Sequence, residues 1–182
     1  HYFGLIRVTK RQKGIRFYQA FTPETVSVSV NKRLAQLIMA TAAVMAPVSY
    51  KTLQESLHRL RRHFGDTKGV IVNLIKTGEL EQQVIDGIPY LWPAKKITTN
   101  PTIDQSVRFL SPFDPVVRDR IRFNHVWGWP YQFEAYVPAH KRLRGYYAMP
   151  LLWGTDMIGW GNITVKNSKL MVDVGLVQTR PN

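Results

Sequence analysis

Apolar residues alternate near the start of the chain and fall into helical stripes through its middle. Leu5 to Lys10 and Ile15 to Ala20 are β-type runs separated by Arg11-Gln12-Lys13-Gly14. Gly14 supplies the positive φ of a tight turn, so the spacing predicts a hairpin with a basic tip. Thr25 to Val30 alternates Val with Ser or Thr and predicts a short strand.

From Asn31 the period lengthens. Asn31 is the expected cap of a helix running to about Ala46 and stopped by Pro47, with Leu34, Leu37, Ile38 and Met45 on one face. Ser49 is placed to cap a second helix, in which Leu53, Leu57, Leu60 and Phe64 recur at helical spacing and Gly65 closes the end. Asp66 is placed to cap a third, with Val70, Ile71, Leu74 and Ile75 as its apolar face and Gly78 beyond it. Glu79 to Ile85 and Ile88 to Trp92 flank Asp86-Gly87, a strong hairpin signal. Three helices followed by a hairpin is the winged-helix order, a variant of helix-turn-helix.

The segment before Ser106 is polar and reads as a linker. Asp114-Pro115 opens a helix to about Val126. Strands are expected near Gln132 to Val137, Gly145 to Trp153, Met157 to Val165 and Leu170 to Val177, with turns at Gly154-Thr155-Asp156 and Asn167-Ser168. The expected fold class is α+β: a winged helix-turn-helix followed by a small antiparallel sheet with one helix. Residues 1–30 read as the wing hairpin and strand of a truncated preceding winged helix. Residues 31–93 read as a complete winged helix, 94–106 as the linker and 107–182 as a β-rich domain. Strand-type residues follow His1 at once, so a fragment of a longer protein is expected.

Composition narrows the class. The 182 residues include no Cys, which excludes disulfides and Cys-ligated zinc and fits a reducing, cytoplasmic setting, nucleoid-associated if bacterial. There is no apolar run of about 18 residues and no signal-peptide pattern, so no membrane partner is expected. The net charge is +13. Residues 1–63 hold 11 Lys/Arg against 2 Asp/Glu, residues 64–106 hold 4 against 5, and residues 107–182 hold 10 against 5. Two basic ends flanking a neutral middle favour nucleic acid, with double-stranded DNA, damaged or intact, as the expected partner.

The cations cluster. Lys10, Arg11, Lys13 and Arg16 belong to the first hairpin, and Arg59, Arg61 and Arg62 to the second helix. Arg118 and Arg122 lie one turn apart on the fourth helix and can face together. His140, Lys141, Arg142 and Arg144 form a tip between two aromatic, strand-like segments. Any one cluster alone is as well read as a solvated face; four together favour a polyanion. The third helix is a poor groove reader: it offers only Lys68, Asn73 and Lys76, and its wing carries Glu79, Glu81 and Asp86. Trp127, Trp129, Tyr146 and Tyr147 could wedge against bases, although core packing is the commoner role.

Catalytic chemistry is not expected from these residues. Asp114 before Pro115 reads as a helix cap, and Glu134 as a half-buried strand residue paired with an Arg. His125 and His140 lack partners at metal spacing, and no phosphate-binding glycine loop opens a helix. No catalytic residue, metal or cofactor is therefore assigned.

The stretch from Ser111 to Gly154 is more specific. Ser111-Pro112-Phe113-Asp114, Arg118-Asp119-Arg120, Trp127-Gly128-Trp129, Tyr131 and Glu134 resemble the winged-helix DNA glycosylases of the YcaQ/AlkZ type. So do Tyr136-Val137-Pro138-Ala139, Lys141-Arg142, Gly145-Tyr146-Tyr147, Pro150-Leu151-Leu152 and Gly154. Members of that family excise alkylated bases and unhook interstrand crosslinks; they combine tandem winged helices with a β-rich C-terminal part. The order of elements here is similar to their C-terminal portion. The family's Gln-x-Gln or Gln-x-Asp catalytic motif lies near the start of the full protein and is missing from this chain; Gln132-Phe133-Glu134 is only superficially like it. Asn162 and Thr164 depart from the charged residues usual after the last glycine turn. The resemblance implies a DNA-binding part of a base-excision protein, itself catalytically inactive. A winged-helix transcription regulator with a C-terminal sensor or dimer sheet is the alternative, and single-stranded RNA binding through the aromatics a third reading.

Overall fold

The computed structural model describes residues 6–22, 27–94 and 102–177. The chain divides into two compact units, His1–Arg33 and Leu34–Asn182. Helix and strand are mixed, an α+β arrangement.

In the first unit, β1 (Ile6–Gln12) and β2 (Ile15–Ala20) pair antiparallel, with a register shift between Val8 and Lys10. Lys13 and Gly14 join them, both at positive φ (47° and 80°), as a two-residue turn matched to strand twist requires. The strand expected at Thr25 to Val30 is not formed where it can be seen. Residues 23–26 lie outside the described residues, 27–29 have no regular structure, and Val30 already opens α1 (Val30–Met45). Ser29, not Asn31, is the cap: its Oγ accepts the Lys32 N–H at 3.3 Å and its carbonyl accepts the Arg33 N–H at 3.0 Å.

The second unit has two cores. In the first, α1 buries Leu34, Ile38, Ala42 and Met45, while Leu37 lies off the stripe and is exposed. A two-residue strand, β3 (Val48–Ser49), leads to α2 (Tyr50–Ser56). The long second helix expected from the Leu53-to-Phe64 stripe is interrupted at Leu57, giving way to a 3-10 turn (His58–Leu60) and the short α3 (Arg61–Phe64). The stripe survives the interruption because Leu53 and Leu57 are fully buried and Leu60 and Phe64 still pack against them. Asp66 caps α4 (Thr67–Lys76), accepting the Gly69 N–H at 2.9 Å. β4 (Leu80–Ile85) and β5 (Ile88–Pro93) form the expected hairpin, and β3 adds to β5 in a sheet ordered β3-β5-β4. Leu74, Leu80 and Leu91 tie helices to sheet, each side chain contributing about 1.5–3 kcal/mol by burial.

The second core lies under an antiparallel sheet ordered β6-β7-β8-β9: β6 (Val107–Phe109), β7 (Met149–Trp153), β8 (Asp156–Lys166) and β9 (Lys169–Leu176). Phe123 is its centre, with the rings of Trp127, Trp129 and Tyr131 at 4.9, 4.8 and 5.6 Å. Two expectations fail here. The single helix after Asp114 is broken into α5 (Pro115–Arg118) and α6 (Arg120–Trp127), because Asp119 leaves helical geometry (φ −80°, ψ 91°) to cap α6. The strand expected at Gln132 to Val137 is an irregular loop, and the next begins only at Met149.

Candidate nucleic-acid interface

The two cores meet at a buried polar junction. Asp119 is fully buried, and its carboxylate accepts the Ser49 N–H (2.6 Å), the Ser49 and Thr52 hydroxyls (both 2.9 Å) and the Arg122 N–H (3.1 Å). One carboxylate therefore serves the N-terminal turns of both α2 and α6, where backbone N–H groups and the helix dipoles favour negative charge. Arg122 answers from the other side. Its guanidinium donates to the carbonyls of Met45 (2.5 Å), Pro47 (2.7 Å), Pro115 (2.8 Å) and Val116 (2.9 Å). Burial lowers its pKa, against the opposing pull of the Asp119 charge.

A second tie joins the β4-β5 hairpin to α6. The Asp86 carboxylate can only accept, so the proton sits on His125 Nε2 (3.0 Å). In neutral His125, Nδ1 then accepts from the Tyr90 hydroxyl at 2.8 Å. Burial, with help from Asp119 and Asp86, raises the Tyr90 pKa and keeps that proton in place.

The loop between Tyr131 and Met149 is built around Glu134. This carboxylate is buried, but among the described residues no guanidinium makes the ion pair with it that was expected of a strand residue. It accepts three consecutive backbone N–H groups, those of Leu143 (3.1 Å), Arg144 (2.8 Å) and Gly145 (3.2 Å). Burial opposes its charge, yet these N–H groups together with the Arg144 cation outweigh burial and hold the carboxyl below its ordinary pKa. Asn162, on β8, donates from Nδ2 to the Arg144 carbonyl at 2.7 Å and pins the same turn.

The fold of this loop decides which side chains reach solvent. His140 and Lys141 are exposed on a 3-10 turn (Ala139–Lys141). Arg142 donates Nε–H to the Val137 carbonyl (2.8 Å) and lies 5.0 Å from the Tyr146 ring centre; Arg144 lies 5.2 Å from that of Trp129. Such contacts orient a guanidinium without neutralising it. Tyr136 (92% exposed), Tyr146 (61%) and Tyr147 stand among these cations. Trp129, although Arg144 lies over its ring, and Trp127 belong to the core: their indole N–H groups donate to the carbonyls of Met157 and Thr155, and the rings pack in or against the second core. Asp114 is a cap, accepting the Val116 N–H at 2.8 Å.

The remaining sequence candidates lie on other elements. Lys10, Arg11, Lys13 and Arg16 are exposed on the hairpin of the first unit, with Arg11 directly opposite Arg16. Arg59 and Arg62 are exposed on the 3-10 turn and α3. Arg118 is exposed, but Arg122 is not beside it in solvent: the expected i, i+4 pair is undone by the break at Asp119, and four main-chain carbonyls hold the Arg122 head. Two cations missed in the sequence join Arg118 instead. Lys51 and Arg120 line, with Arg118, a cleft of about 480 Å³ between α2 and the α5–α6 break. The alternation Arg118-Asp119-Arg120, with a poor helix-interior residue at its centre, was the signal available for this. Two acids by the β4-β5 hairpin are held locally, Glu81 accepting the Trp92 indole N–H and Glu79 the Thr77 hydroxyl, while Asp86 holds His125 of α6. Among the described residues no His, Asp and Glu side chains gather as a metal-binding group, and no helix is long and apolar enough to cross a membrane.

Exposed cations and tyrosines therefore share the loop that Glu134 organises. The family is shown by sequence: the AlkZ-like DNA glycosylase model matches residues 1–180, and the chain belongs to that family. No solved structure matches the chain.

Proposed function

We propose that this chain is a winged-helix, DNA-binding part of a DNA glycosylase-like repair protein, corresponding to the C-terminal portion of such enzymes. The order α1, β3, α2, α4, β4, β5 with β5 central supports the winged-helix assignment. The observation that carries DNA binding is the Glu134-organised loop, which presents His140, Lys141, Arg142 and Arg144 beside three exposed tyrosines. Lys10, Arg11, Lys13, Arg16, Arg59, Arg62 and Arg118 supply further cations for phosphate. Arg122 is structural. The opposition of Arg11 and Arg16 costs stability in the free hairpin and is relieved by a bound polyanion. No residue of the chain supplies the glutamine motif of base excision, so binding without base release is the expected activity.

The test is a titration of intact, alkylated and crosslinked duplexes at several salt concentrations. If about six of these cations touch phosphates, log K falls with log salt at a slope near −5. Neutralising Lys141, Arg142 and Arg144 together weakens binding to every duplex and flattens that slope by roughly 2–3. Unchanged affinity would make the loop a solvated turn. Sharp preference for one operator sequence, read through Lys68, Asn73 and Lys76 of α4, would favour a transcription regulator instead.

A further inference from the structure

We infer that the cleft between α2 and the α5–α6 break is a second phosphodiester site, one that grips the DNA backbone through Lys51, Arg118 and Arg120; the inference rests on the DNA-binding reading. None of the residues lining this cleft belongs to the Glu134-organised loop. Its wall holds three cations and one carboxylate, Glu55, alongside Thr52, Ser56 and Ile121. Lys51, Arg118 and Arg120 are all exposed.

The arrangement follows from Asp119. Because that side chain is drawn into the junction in extended geometry, its two neighbours in sequence stay outside, flanking it. The buried carboxylate does not cancel them: it is saturated by two N–H groups and two hydroxyls and lies in the same junction as the Arg122 cation. The junction thus holds one charge of each sign, and the cleft keeps an excess of two positive charges over Glu55. Two guanidiniums and an ammonium around an open concavity supply the positive charge that attracts phosphate oxygens. The Glu55 carboxylate in the wall disfavours a dianion such as free phosphate and tolerates the single charge of a phosphodiester. Thr52 is already committed to Asp119 and Ser49, so recognition here is by charge and carries no base information.

The experiment compares the full chain, the variant Lys51→Gln/Arg118→Gln/Arg120→Gln, and Lys141→Gln/Arg142→Gln/Arg144→Gln, titrating a short fluorescent duplex by anisotropy over a range of salt. The cleft variant should lose about tenfold or more in affinity at low salt, and its salt slope should flatten by roughly 2–3. Arg118→Lys/Arg120→Lys should bind nearly as the parent does, which separates charge from fold. Lys51→Gln alone, at an exposed position, should lower the slope by about 1. Inorganic phosphate should displace duplex no better than chloride at equal ionic strength. Parent-like affinity and slope in the cleft variant, with the loop variant weakened, would overturn the cleft assignment and leave DNA binding intact. Saturable inorganic phosphate binding lost in the cleft variant, with duplex affinity unchanged, would overturn it in favour of a free-anion site. A parent chain that binds no duplex would sink both readings.

Discussion

Arg118 and Arg122 are four residues apart, yet they belong to two regions with opposite electrostatic logic. At the junction, Asp119 and Arg122 are buried and their hydrogen-bonding capacity is met by backbone and hydroxyl groups of both cores. Along the cleft and the Glu134 loop, Arg118, Arg120, Lys141 and their neighbours keep open faces. A residue count treats all these cations alike. The difference lies in what the main chain around them leaves unsatisfied: three helix ends and the Met45-to-Pro47 turn converge on the junction and require a fixed pair of charges, whereas the loop satisfies its own N–H groups through Glu134 and leaves its cations oriented but not neutralised. Junction substitutions should therefore change stability, and rim substitutions should change DNA affinity and its salt dependence.

The largest effect should come from Asp119→Ala. Removing one partner of a buried charged network leaves Arg122 uncompensated and strands the Ser49 and Arg122 N–H groups, a loss of about 3–5 kcal/mol. For a domain of ordinary stability that is a large fraction of the total. Urea unfolding should show a much lower midpoint, and Arg122→Met should come close to it, since four carbonyls then lose their donor. In Arg122→Met conditions where the fold survives, the salt slope for duplex should stay that of the parent. A flattened slope would place Arg122 at the interface and erase the contrast with Arg118.

Much of the frame was legible. Ser49, Asp66 and Asp114 act as the caps their neighbours suggested, and the Asp86-Gly87 hairpin forms as expected. These features are local, each settled within a few residues. What failed depended on long-range partners. Gln132 to Val137 alternates like a strand, but Glu134 is drawn inward by N–H groups about ten residues on, which bends the segment into a loop. Asp119 fits inside a helical stripe, but Ser49 and Thr52, about seventy residues back, select the conformation that breaks it. Asn162 looked like a lost family charge and is the clamp on the Arg144 carbonyl. A one-dimensional pattern carries no trace of such partners.

Glu134→Gln should have a middling effect, about 1–3 kcal/mol, because a neutral amide replaces the charged acceptor of three N–H groups. Here the comparison is sharpened, since this residue should move both readouts: stability falls, and the loop cations lose their fixed presentation, weakening duplex binding. The pH dependence has a definite sign. Because the folded carboxyl titrates below its unfolded value, its contribution is fully present above the ordinary Glu range and is lost as pH falls through the lower, folded value. The parent should therefore lose stability on acidification more steeply than Glu134→Gln does. Equal slopes in the acid range would mean that the N–H cluster does not stabilise the charged form.

The smallest effect should come from Tyr90→Phe, which removes one neutral hydrogen bond to His125 Nδ1 while keeping the ring that stacks on it at 5.8 Å. A loss of about 0.5–1.5 kcal/mol is expected. The neighbouring Asp86–His125 contact keeps the tautomer fixed in both proteins, so the change isolates the Tyr hydroxyl. Neither group belongs to the cleft or the basic loop, so duplex affinity and salt slope should match the parent. A drop in affinity without a drop in stability would mean that the tilt of the β4-β5 hairpin against α6 is read by DNA. That hairpin, whose acids argued against direct contact, would then belong to the binding region rather than to its support.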